Sequence, residues 1–148
     1  MIPATAKRVE QHTSPHLNHR NEQRFEERVA YYQQQSPERI SDRLKELDQE
    51  WDVERTLQTN FATLSIVGAL LTGAANRHWA VLALGVPAFM VQHAIQGWCP
   101  PLPVLRRLGI RTTREISDER FALKSLRGDF DQSEGFQTVE ALLEAVRK

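Results

Sequence analysis

From Thr56 to Leu105 the chain carries a single charged residue, Arg77. The first part, TLQTNFATLSIVGALLTGAAN, is uncharged over 21 residues, and the second, HWAVLALGVPAFMVQHAIQGWCPPLPVL, over 28 with His78 counted as neutral. Two uncharged segments of near-membrane length, joined at one Arg, predict a helical hairpin that crosses a bilayer twice.

The overall balance of 19 basic and 19 acidic residues hides this pattern. Residues 1–58 hold nine Lys/Arg and eleven Asp/Glu, residues 59–98 hold Arg77 alone, and residues 99–148 hold nine Lys/Arg and eight Asp/Glu. The order is a polar block, an apolar block and a polar block. We read an all-α chain: a leader over 1–20, amphipathic cytoplasmic helices over 21–58, a transmembrane hairpin over 59–98, a basic juxtamembrane segment over 99–114 and cytoplasmic helices over 115–148.

In the leader, His12, His16 and His19 have helical spacing. Pro15 interrupts them, and no carboxylate or Cys joins at ligand spacing, so a solvated tail is expected and no metal or other cofactor. No signal peptide is expected, because the first 35 residues hold no apolar run. Asn21 can cap a helix with an apolar stripe of Phe25, Val29 and Tyr32. Ser36 caps the next, with Pro37 at its first position and Glu38 in its first turn. Ile40, Leu44, Leu47 and Trp51 then recur at spacings of 4, 3 and 4. This helix either runs on into the first membrane segment or bends near Asn60.

The hairpin helices are expected at 59–76 and 79–98, spanning roughly 27 and 28 Å at about 1.5 Å per residue. Ser65, Ala69 and Gly73 form a small-residue stripe suited to close helix packing. Trp79 and Trp98 bracket the second helix as an aromatic belt. Pro87 interrupts its hydrogen bonding at the carbonyl of Ala83. Gln92, His93 and Gln96 are its polar residues, all in the last two turns, and His93 and Gln96 are candidate functional groups.

Residues 99–114 contain Arg106, Arg107, Arg111 and Arg114 and no acid. These four are expected at lipid head groups. With Arg43, Lys45 and Arg55 on the other flank, the positive-inside rule places both termini in the cytoplasm and Arg77 outside. Nucleic acid is not expected as a partner, since the following tail is acidic. Ser117 or Asp118 is expected to cap a helix that Gly128 ends, and Thr138 to cap a last one through Lys148.

Gly97-Trp98-Cys99-Pro100, followed by Leu108-Gly109-Ile110-Arg111-Thr112, resembles the exit motif of the YgaP-like inner-membrane family of bacteria, a domain of unknown function. The resemblance covers roughly residues 55–113. It implies a two-helix transmembrane hairpin, in some members attached to a rhodanese sulfurtransferase domain. The spacing from Cys99 to Gly109 is about one helical turn longer than the common form. Thr113 stands where a second Cys is often found, and Pro100-Pro101 after the only Cys excludes a rhodanese loop. Sulfur transfer is therefore not carried over.

The expected role is non-catalytic: a small inner-membrane anchor or interaction module, whose partners are the lipid bilayer and a second copy or another membrane protein. One alternative is a thiol-based redox or sulfur-handling accessory protein using Cys99. Another is a soluble helical bundle that buries the apolar hairpin. No motif for phosphate binding, metalloprotease or serine hydrolase chemistry occurs, and no enzyme is expected.

Overall fold

The computed structural model describes residues 7–130, and these are helical with no strand among them. The expected final helix from Thr138 lies outside the described residues. The elements are α1 (Arg8–Gln11), α2 (Pro15–Tyr32), α3 (Pro37–Gln49), α4 (Val53–Ala74), a 3-10 turn (Arg77–Trp79), α5 (Ala80–Gln96), α6 (Leu102–Arg107) and α7 (Thr113–Arg127). The chain divides into two compact units. One comprises residues up to Asn21 together with Trp51–Arg114; the other comprises Glu22–Glu50 and the chain from Glu115 onward.

The first unit is built on α4 and α5, which pack against each other across a connection of five residues, Ala75 to Trp79. Asn76 shapes that connection, its side-chain oxygen accepting the His78 backbone N–H at 2.9 Å. The closest approach lies at Gly68: a Cβ there would meet the Ala83 backbone nitrogen at 2.7 Å. The expected stripe of Ser65, Ala69 and Gly73 is therefore corrected. Nothing lies within 4 Å of where a Gly73 Cβ would be, and Ala69 is exposed. Gly68 sits three residues past Ser65, on the face that also buries Phe61 and Leu57. Ala83 is four residues before Pro87, so the contact falls one turn from the interruption.

α4 starts earlier than expected and is not continuous with α3. Asp52 breaks the two: its backbone is extended, and its carboxylate accepts the Arg55 backbone N–H at 2.7 Å. Trp51 consequently leaves the α3 stripe. It is 48% exposed, with the Arg55 guanidinium 4.5 Å from its ring centroid. The hydroxyls and amide along α4 bond backward within the helix: Thr59 to the Arg55 carbonyl, Asn60 to Thr56, Thr63 to Thr59 and Thr72 to Gly68, all at 2.7–2.9 Å.

The leader is also more ordered than expected. Residues 8–11 form α1, and α2 begins at Pro15 rather than at Asn21, because Pro suits a first helical position and Ser14 precedes it. Thr13 donates to the Val9 carbonyl and Asn18 to the Glu10 carbonyl, joining the two helices at their corner. Val9 and Leu17 are buried.

The second unit has its own core. Ile40, Leu44 and Leu47 of α3 meet Ile116 and Leu123 of α7, with Tyr32 packed against them. Phe25, Val29 and Tyr32 are half-buried, as a helix packed on its own protein requires. Glu119 is wholly buried between two guanidinium groups, Arg28 at 2.8 Å and Arg43 at 3.0 Å. α7 begins at Thr113, four residues before the expected cap, and ends at Gly128, whose φ of 83° is the left-handed conformation glycine adopts at little cost.

Candidate functional site

The polar residues of the first unit gather where α5 ends. Gly97, at φ 82°, closes α5 and reverses the chain. A Cβ at Gly97 would lie 2.6 Å from both the Cβ and the carbonyl oxygen of Arg8, so α1 is seated directly on this turn. Cys99 follows and is wholly buried, in one apolar cluster with Val9, Val53, Leu57, Phe61, Leu102 and Leu105. Pro101 then begins α6, with the Leu102 N–H donating to the Cys99 carbonyl at 3.1 Å.

His93, one turn before Gly97, is also wholly buried. Its Nε2 lies 3.3 and 3.4 Å from the two carboxylate oxygens of Glu54. Arg8 donates to the same carboxylate at 2.7 Å. The His93 ring and the Arg8 guanidinium thus face one carboxylate from two sides. The Glu54 carboxylate facing Nε2 fixes the orientation of the His93 ring. Its Nδ1 is buried without a hydrogen-bond partner, and Cys99 lies in the apolar cluster with Val9 and Val53, the chain neighbours of Arg8 and Glu54. Four elements thus converge on a Cys99–His93–Glu54–Arg8 cluster: α5, the turn after it, α4 and α1.

No family model matches the chain, and no curated protein or solved structure gives a significant match either. The residues behind the YgaP-like resemblance have local structural roles in this chain. Gly97 and Gly109 take left-handed backbone conformations, Cys99 is core, and Ile110 packs against the Cys99 cluster.

Two of the expected site residues fall in the cluster, and others do not. His93 and Cys99 belong to it, whereas Gln96 is exposed and joins nothing in it. The expectation that four Arg face head groups is corrected for two of them. Arg106 is wholly buried and donates to the Ile110 carbonyl at 3.1 Å, and Arg111 is 8% exposed, with its carbonyl accepting the Val53 N–H. Arg106 turns inward because it shares the buried face of α6 with Leu102 and Leu105. Arg107 and Arg114 are exposed, and Arg114 pairs with Glu10 at 3.3 Å.

Sequence reading missed Glu54 and Arg8. Glu54 reads as one acid among many before the apolar block, and Arg8 as part of a solvated leader. The available signal was the position of Glu54 in the first turn of a helix whose partner helix ends in His93. A groove beside the cluster is lined by Arg8, Val9, Val53, Glu54, Thr112 and Arg114. No group of three or more potential metal ligands occurs among the described residues.

By length and composition, Arg77–Gln96 is the one helical stretch among the described residues that is apolar enough to cross a membrane, with 6% of it buried. α4 is 22 residues long, but Glu54, Arg55 and its Thr and Asn residues lower its apolar character. The outward faces of both helices are nevertheless apolar. Ile66 and Leu70 on α4, and Val81, Leu84, Val91 and Ile95 on α5, are exposed.

Proposed function

We propose that the α4–α5 pair is inserted in a lipid bilayer as a hairpin and that the protein is a small, non-catalytic membrane anchor or interaction module. The observation that carries this reading is the exposed apolar surface running along both helices of the pair. Contiguous apolar surface of this extent is rare on soluble monomers, and lipid is the environment in which leaving it uncovered has no cost.

Three further features support the reading. α4 and α5 span about 33 and 26 Å at 1.5 Å per residue, against a hydrocarbon core of about 30 Å. The polar side chains of α4 that bond back to their own helix need no water. Trp79 flanks one end of the pair, while Trp51 and Trp98 flank the other, and all three are exposed as interfacial indoles should be.

Orientation follows from the basic residues. Arg55 and Arg107 are exposed at the end of the pair that carries α1 and α6, and Arg77 stands alone at the far turn. The positive-inside rule then puts both termini in the cytoplasm and suggests the bacterial inner membrane, in keeping with the YgaP-like resemblance. The exposed face leaves room for a second copy or another membrane protein beside the lipid.

The deciding experiment is alkaline carbonate extraction of cells expressing the full chain. The protein is expected to stay with the membrane pellet and to leave it only in detergent. Release into the carbonate supernatant would end this reading in favour of a soluble bundle.

A further inference from the structure

We propose that Arg55, stacked on Trp51, binds the phosphate of an anionic phospholipid at the end of the helix pair that carries α1 and α6. The inference rests on the membrane reading above and names the lipid chemistry which that reading leaves open.

The geometry begins at the break before α4. Trp51 is exposed there, and the Arg55 guanidinium lies 4.5 Å from its ring centroid. The indole covers one face of the guanidinium. The N–H donors of a planar guanidinium lie along its edge, so stacking leaves them free. Two such donors side by side fit two oxygens of one phosphate.

The neighbouring acids do not fill that place. Asp52 accepts the Arg55 backbone N–H and the Thr113 hydroxyl. Glu54 faces Arg8 and His93. Among the described residues Arg55 has no ion pair, whereas Arg8 and Arg114 in the same unit each have one. An oriented cation without an acid points to an anion from outside the chain.

Its position favours a lipid as the source. Arg55 opens the outward face of α4: Thr59, Ile66 and Leu70 follow at 4, 11 and 15 residues, and all are exposed. At about 3.6 residues per turn these lie on one face. Ile66 is roughly 16 Å from Arg55 along the axis. With Ile66 near the middle of a hydrocarbon core about 30 Å thick, the guanidinium falls at head-group level. The exposed side of α6 carries Val104 and Leu108 beside Arg107, while Leu102 and Leu105 face the core. Apolar side chains next to a cation on an outward face suit a segment lying in the interface. An acidic protein segment would supply charge alone. A phospholipid supplies the charge and also the chains that cover the apolar face continuing from Arg55.

Trp51 is itself the probe. With Trp79→Phe and Trp98→Phe it becomes the only indole of the chain. The full-length protein is reconstituted in vesicles of equal parts phosphatidylcholine and phosphatidylglycerol, with one or the other lipid brominated, and Trp51 quenching is compared. Phosphatidylcholine offers the same phosphate but carries its own cation. Phosphatidylglycerol is expected to be preferred roughly fivefold beside Trp51 at low salt, the scale of one charge contact at a membrane surface, and less at high salt. Arg55→Gln should remove the preference and keep the quenching by brominated phosphatidylcholine. Arg77→Gln, at the far turn, should change neither. In the chain with all three indoles Arg55→Gln should also lower the preference, which separates the effect from any disturbance by the two Trp substitutions. Equal quenching by the two lipids, or a preference that survives Arg55→Gln, would overturn the proposal and leave membrane insertion standing. No quenching by either lipid would overturn both.

Discussion

Gly68→Leu is expected to separate α4 from α5, at a cost of about 3 kcal/mol or more. The new side chain would start 2.7 Å from the Ala83 backbone nitrogen and 3.1 Å from its Cα. Backbone cannot rotate aside as a flexible side chain can, so the whole helix must move. Overpacking of a tight contact costs about 1–3 kcal/mol even in cores that can relax. In lipid the loss is not offset by hydrophobic association, because helices there are held by close packing itself.

Gly73→Leu provides the contrast. With nothing within 4 Å of its Cβ position, it should be neutral, or stabilising by up to about 1 kcal/mol through helix propensity. Titration of helix content with a denaturing detergent measures both variants. Equal effects at the two positions would show that Gly68 is not the point of closest approach.

The second large effect is expected in the other unit. Glu119 is wholly buried and held by Arg28 and Arg43, which are themselves partly exposed. Removing the two guanidinium groups together, by Arg28→Ala and Arg43→Ala, takes both of these ion pairs from a carboxylate that stays in the core. Breaking a buried pair from one side typically costs about 3–5 kcal/mol, because the charge that remains has lost its compensation. The double variant is therefore expected to unfold this unit at markedly lower temperature or urea concentration. Lys45→Ala, which removes an exposed pair to Asp42 on α3, should leave the midpoint unchanged. A double variant as stable as the native chain would mean that Glu119 finds its compensation elsewhere.

The limits of reading the sequence have physical causes. Ser36, Pro37 and the Ile40–Leu44–Leu47 spacing marked α3 well, since cap and stripe are local signals. Gly128 marked a helix end for the same reason, whereas the second hairpin helix, expected to reach residue 98, stops at Gly97 in its left-handed conformation. Trp51 was misplaced because its spacing continues the stripe, while the break comes from the Asp52 side chain bonding its own backbone. The choice of Gly68 over Gly73 depends on how α4 is rotated toward α5, which periodicity alone leaves open.

The cluster was half legible. Cys99 and His93 stood out as rare residues near a helix end. Glu54 and Arg8 lie 39 and 85 residues from His93, and nothing local joins them to it. Arg106 and Arg111 were read as lipid contacts because a run of Arg without acids suggests a surface. The fold turns both inward, leaving Arg107 exposed.

The central claim is that lipid covers the outer faces of α4 and α5. Single cysteines placed at Leu70 and Leu84 in a Cys99→Ala background test it directly, by labelling with a membrane-impermeant maleimide in reconstituted vesicles. Both side chains are freely exposed in the isolated chain, at 67% and 74%. Protection in vesicles that is lost on solubilisation and unfolding is the predicted result. Rapid labelling of both positions in intact vesicles, or a detergent-free monomer in which both react, would contradict it.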